Sequence, residues 1–128
     1  MNSDQEKETT NRSRISLEKI DAYRQLDPNQ SNDFFKKIAS IYLVSASQSL
    51  SEIKQAIVGN DNQALKIAAH TLKSSTANIG AETLASMCQK LEDYGQTNQI
   101  QQAQIFLPDM QHEFDQVITE LEKMLVEL

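Results

Sequence analysis

The sequence predicts an all-α protein: an antiparallel up-down four-helix bundle with a short extra helix at its N-terminus. Three observations predict it. Only three glycines and two prolines interrupt 128 residues, so chain breakers are scarce. Aromatics make up 5% and Trp is absent, while Ala, Leu, Gln, Lys and Glu, all good helix formers, are frequent. Apolar residues recur at intervals of three and four along four long stretches. The length fits one domain that can bury a core without staples.

Residues 1–14 carry no large apolar side chain beyond the initial Met, so they are expected to form a disordered polar tail ahead of a domain over 15–128. Ile15 to Leu26 is a short amphipathic stretch. Asp27-Pro28-Asn29 ends it, because the residue before proline is pushed out of the α region. The second helix is expected to start at Asn32 or Asp33, either of which can cap it. Phe35, Ile38, Tyr42, Ala46, Leu50, Ile53 and Ile57 form its buried stripe. Gly59 is the expected left-handed stop, and Asn60 with Gln63 resembles a capping box for the third helix. That helix runs to about Ile79, where Gly80 stops it.

A fourth helix is expected from Ala81 to Gly95, with the stripe Leu84, Met87, Cys88, Leu91 and Tyr94. The last runs from about Asn98. Pro108 is expected to break or kink it near its start, since proline lacks a donor and crowds the preceding turn. Met110, Phe114, Val117, Leu121, Met124 and Leu128 then make a seam suited to antiparallel packing.

Composition narrows the function. A formal charge of −6 argues against nucleic acid, whose phosphates repel an acidic surface. The longest apolar run is Ile41-Tyr42-Leu43-Val44, far short of the about 20 residues a membrane-spanning helix needs. Residues 1–14 lack the apolar core of a secretion signal. A single cysteine forms no intrachain disulfide and suits a reducing compartment, so a cytoplasmic location is expected.

His70 stands out. A helix advances about 100° per residue, so Leu65, Ala68, Leu72, Thr76 and Ile79 gather on one narrow face. His70 lies roughly 160° from the centre of that face. Lys66, Ile67, Lys73 and Ser74 are its neighbours three and four residues away, with Ala77 two turns on. Two ammonium groups flanking an exposed imidazole can attract and hold a phosphoryl group. Ser74 and Ala77 are small and leave room for a partner, and Ile67 offers an apolar contact. A neutral imidazole is a competent nucleophile. Against this, a lone surface histidine is usually inert, and exposed lysines usually serve solubility, so geometry alone leaves the matter even.

The run His70-Thr71-Leu72-Lys73-Ser74-Ser75-Thr76-Ala77-Asn78-Ile79-Gly80-Ala81, followed by Leu84, Cys88, Leu91 and Glu92, resembles the histidine phosphotransfer (HPt) domain. Upstream, Leu26-Asp27-Pro28, Asp33-Phe34-Phe35 and Gly59-Asn60-Asp61 fit the same pattern, so the resemblance covers about residues 15–126. It implies a monomeric phosphotransfer intermediate rather than an enzyme with its own turnover. Its partners would be response-regulator receiver domains and a hybrid sensor histidine kinase. By the same resemblance His70 is the phosphorylated residue and Lys73 stabilises the phosphate. Ser74 stands where glycine is common, and still leaves room. Glu92 stands where some members place a glutamine that hydrogen-bonds the imidazole. A carboxylate there can accept the proton of one ring nitrogen and leave the other as nucleophile; an ordinary solvated carboxylate is the alternative. No cofactor is implied, because the Mg²⁺ belongs to the receiver domain.

Other candidates are weaker. Cys88 sits in an apolar stripe, where free cysteine is usually core. His112 lies off the last seam and has no matching ligands nearby, and two histidines make a poor metal site. Ser74-Ser75-Thr76 lacks the glycine-rich strand-to-helix setting of a P-loop or nucleophile elbow. The alternatives to a phosphoryl carrier are a receiver-binding module that takes no phosphate and a plain helical interaction module. A kinase is least favoured, since no nucleotide-binding motif is present.

Overall fold

The computed structural model describes residues 13–128. Among these the regular elements are five helices and no strand: α1 Leu17–Leu26, α2 Asp33–Val58, α3 Asn62–Ile79, α4 Glu82–Gln96 and α5 Ile100–Glu127. Residues 1–12 of the expected polar tail lie outside the described residues. Ser13 and Arg14 are held to α5: the Ser13 hydroxyl meets Glu120, and the Arg14 amide donates to Glu120 Oε1 at 2.9 Å. The Arg14 guanidinium pairs with Glu113 at 3.2 Å.

Helix α1 starts at Ser16, whose side chain accepts from the Lys19 amide, and Ile15 just ahead of it is buried. It ends where Asp27 precedes Pro28. The Asp27 carboxylate then accepts from the Asn29 amide at 2.8 Å and the Ser31 hydroxyl at 3.0 Å, which fixes the turn into α2. At the start of α2 neither expected residue caps with its side chain. Asn32 stands at the cap position but spends Oδ1 on Arg24, while the Asp33 amide is satisfied by the Ser31 hydroxyl.

The link from α2 to α3 is displaced by one residue from expectation. Gly59 has φ −81° and needs no special freedom. Asn60 takes the left-handed conformation at φ +55°, which asparagine tolerates better than most residues. Asp61, not Asn60, caps α3, accepting from the Ala64 amide at 3.0 Å. The far end of α3 follows expectation. Gly80 has φ +90°, and its amide and that of Ala81 bond back to Ala77 and Thr76, a Schellman closure.

Two breakers behave differently from expectation. Gly95 lies inside α4, which continues to Gln96. A Cβ there would meet the Asn62 carbonyl oxygen and the Lys66 amide nitrogen at 2.8 Å, so glycine is present for close helix approach. Pro108 lies inside α5, which runs unbroken past it. Pro108 and Gln104, four residues before it, are both exposed, so water can satisfy the carbonyl that the proline leaves without a donor.

Packing joins α2 to α3, α3 to α4, α4 to α5 and α5 back to α2, with α1 laid on α2. The core inside this ring takes Phe35, Ala39, Tyr42, Ala46 and Ile53 from α2, Leu65, Leu72 and Ile79 from α3, Leu84, Cys88 and Leu91 from α4, and Met110, Val117 and Leu121 from α5. The expected stripes hold at their centres and loosen at their margins. Ile38, Met87, Tyr94 and Met124 are only partly buried, and Leu128 is exposed. Among the described residues no helix is long and apolar enough to cross a membrane.

Candidate functional site

The core face of α3 is set by Leu65, Ala68, Ala69, Leu72, Thr76 and Ile79, all buried. Thr76 shares a buried hydrogen bond of 2.8 Å with Tyr42 of α2, which fixes the roll of α3. That roll turns His70 outward, with 57% of its side chain exposed.

Helix α4 supplies the other half of the site. The flush contact at Gly95 brings the end of α4 against the first turn of α3. Glu92, about one turn earlier, is thereby aimed at α3. Its Oε2 lies 3.1 Å from His70 Nδ1, and its Oε1 lies 2.9 Å from Lys73 Nζ. Only 16% of the Glu92 side chain is exposed, which is not the setting of a solvated carboxylate. Oε1 is sealed from water and accepts no aligned hydrogen bond. Lys73 meets it as an ion pair at 2.9 Å, and the same ammonium donates to Gln89 Oε1 at 2.8 Å.

Burial works to raise the Glu92 carboxyl, but its close contacts with Lys73 and His70 outweigh it and hold the group below the ordinary carboxylate range. Glu92 is therefore ionised at neutral pH and can only accept. It follows that His70 Nδ1 carries the proton in this contact, and that in the neutral ring Nε2 holds the lone pair. Among the described residues Nε2 makes no hydrogen bond.

The remaining predicted residues share the surface of α3. Ile67, Ser74 and Ala77 are exposed around His70. Lys66 is half-buried with its backbone against Gly95. Cys88 is fully buried, and burial pushes its thiol up to about 12. His112 is exposed. Among the described residues no three His, Cys, Asp or Glu side chains gather as a metal site.

Sequence reasoning missed Gln89 and Asp93. Gln89 Nε2 donates to Asp93 Oδ1 at 2.8 Å while Gln89 Oε1 accepts from Lys73. The available signal was their spacing: Gln89 and Asp93 are four apart on one helix and flank Glu92.

A family model described as the Hpt domain matches residues 37–125. Multistep phosphorelay regulator 1 of Schizosaccharomyces pombe is 25% identical over 76 residues, covering 59% of this chain and 26% of that protein. Phosphorelay intermediate protein rdeA of Dictyostelium discoideum is 24% identical over 85 residues, covering 66% of this chain and 34% of that protein. The chain thus spans about a quarter to a third of the length of the curated relatives it matches. Among solved structures, histidine-containing phosphotransfer protein B from Pseudomonas aeruginosa PAO1 superposes with a TM-score of 0.81 at 21% identity, covering 90% of this chain and 96% of that one.

Proposed function

Because the chain belongs to the Hpt domain family, we propose that it is a phosphoryl carrier of a two-component relay, with His70 as the carrying residue. The observation that carries this reading is the outward His70 whose Nδ1 is engaged by an ionised carboxylate, leaving Nε2 to react.

In this reading Nε2 of His70 attacks the phosphorus of a receiver-domain aspartyl phosphate. The N–P bond forms as the aspartyl O–P bond breaks, and the aspartate leaves with the electron pair. No proton moves, since Nδ1 keeps its own. The ring therefore gains positive charge as the bond forms, and Glu92 is placed to offset it. The reverse step delivers the group to a second receiver aspartate. Such transfer passes through a loose, in-line transition state, so position and charge matter more than covalent help. Lys73 supplies the local charge, with Lys66 as a second cation one turn before His70. The Mg²⁺ of the reaction belongs to the receiver domain, and this chain needs no cofactor of its own. Ile67, Ser74 and Ala77 are the docking surface: one apolar contact and two small residues that admit a close partner.

The same reading takes α2 to α5 as an antiparallel up-down four-helix bundle, supported by the closed ring of helix contacts and the short links. The domain occupies 15–128, with Ser13 and Arg14 ahead of it tied to α5. The protein acts as a cytoplasmic monomer between a hybrid sensor histidine kinase and response-regulator receivers, and it has no catalytic turnover alone.

The test is incubation with a receiver domain carrying labelled phosphate. Label should reach the wild-type protein and be lost in His70→Gln; label retained by that variant would remove His70 from the carrying role. Lys73→Ala should slow transfer with the fold intact, and an unchanged rate would remove Lys73 from the mechanism.

A further inference from the structure

The Lys73 ammonium is held from two sides. Glu92 Oε1 lies 2.9 Å from it and Gln89 Oε1 lies 2.8 Å from it. These two partners differ in what else they do. Glu92 also engages the imidazole at 3.1 Å. Gln89 touches neither His70 nor Glu92 by hydrogen bond; its other end donates to Asp93 Oδ1 at 2.8 Å. The direction of that bond matters. A glutamine amide offers an oxygen on one side and a donor on the other, and a cation requires the oxygen. The Asp93 Oδ1 atom accepts from the NH₂ end, which turns the carbonyl oxygen to Lys73.

We propose that Gln89, oriented by Asp93, is a positioning residue for Lys73. This rests on the reading of His70 as phosphoryl carrier. A phosphoryl group on His70 Nε2 brings negative charge that competes with Glu92 for the ammonium. Lys73 then exchanges Glu92 for the phosphoryl oxygens while Gln89 keeps hold of it. Glu92 is thereby released from the cation at the moment when the ring most needs its charge. A side chain with four freely turning torsions would otherwise have to be ordered anew at each transfer.

The test compares transfer from a phosphorylated receiver to wild type, Gln89→Met, Lys73→Ala and the double variant. Gln89→Met keeps length and removes both polar ends at a partly exposed position, so thermal melting should match wild type. We expect Gln89→Met to slow transfer about fivefold, the effect of one lost hydrogen bond of ordinary strength. The double variant should be no slower than Lys73→Ala alone, because Gln89 acts only through Lys73. Asp93→Ala should give a smaller slowing, since the amide then turns without bias. Equal rates for wild type and Gln89→Met, or a further full slowing in the double variant, would overturn the proposal. Absence of label on wild-type His70 would instead overturn the carrier reading, so the two failures are distinct.

Discussion

At single residues, the chemistry of the site turns on which atom holds which proton. Glu92 is kept ionised by Lys73 and His70 against the effect of its own burial, and an ionised carboxylate dictates a protonated Nδ1. Ring-nitrogen chemical shifts should therefore report the Nδ1–H form in the wild type. Glu92→Ala should mix the two neutral forms and slow phosphoryl transfer about tenfold, the loss of one charge-assisted bond at the reacting ring. An unchanged tautomer in that variant would break the link between Glu92 and the nucleophile. Cys88 makes the opposite kind of prediction. Its thiol is fully buried and pushed up to about 12, so the thiolate that alkylating reagents need is scarce. Iodoacetamide should label it only after unfolding, and rapid labelling of the native protein would contradict its place in the core. The sequence placed His70 and Lys73 on one helical face by spacing alone. Gln89 was not legible, because its role depends on an amide orientation set across two helices.

At the scale of elements, glycines decide how the helices meet. Gly80 was readable as a stop because a glycine after a periodic run is a common helix end. Gly95 read as a stop for the same reason, and the reading was incorrect because nothing local distinguishes a glycine that ends a helix from one that admits a neighbour. Gly95→Ala should destabilise the protein by about 1–3 kcal/mol, since its Cβ meets backbone rather than a yielding side chain. Urea unfolding measures this. The same variant should slow phosphoryl transfer, because pushing α4 from α3 moves Glu92 away from His70; a destabilised variant with full transfer would show that α4 register is unimportant to the site. Asp61→Ala should cost about 1 kcal/mol as a lost cap, whereas Asn60→Ala acts through its left-handed conformation instead. The one-residue displacement at this link shows why caps are hard to read. Asn60 and Asp61 are both good cap residues, and the backbone angle that separates them comes from how α2 and α3 approach. Pro108 was misjudged because the cost of a helical proline depends on whether water can reach the orphaned carbonyl.

At the scale of the whole molecule, stability should follow the carboxylates tied into the fold. Backbone amides at Asn29, with the Ser31 hydroxyl, hold Asp27 below its ordinary value against burial; Glu92 is likewise lowered. A carboxyl whose folded value is depressed contributes stability above its unfolded value, about 4 for Asp and Glu, and loses it as pH falls through the folded value. The denaturation midpoint should thus hold steady from neutral pH to about pH 5 and fall below about pH 4. Glu92→Gln should flatten part of that fall. The all-helical class was legible throughout, because few breakers and four apolar stripes at helical spacing leave the chain no other regular way to bury them. The carrier function required the family pattern as well as the wheel, since an exposed histidine between lysines is common. The most direct test of the account is to map the phosphorylated residue after transfer from a receiver, by fragment mass spectrometry under alkaline conditions with a parallel acid treatment. The account predicts a single phosphoryl group on the fragment containing His70, stable in base and lost in acid. Phosphate on a serine, threonine or aspartate, or none at all, would contradict it.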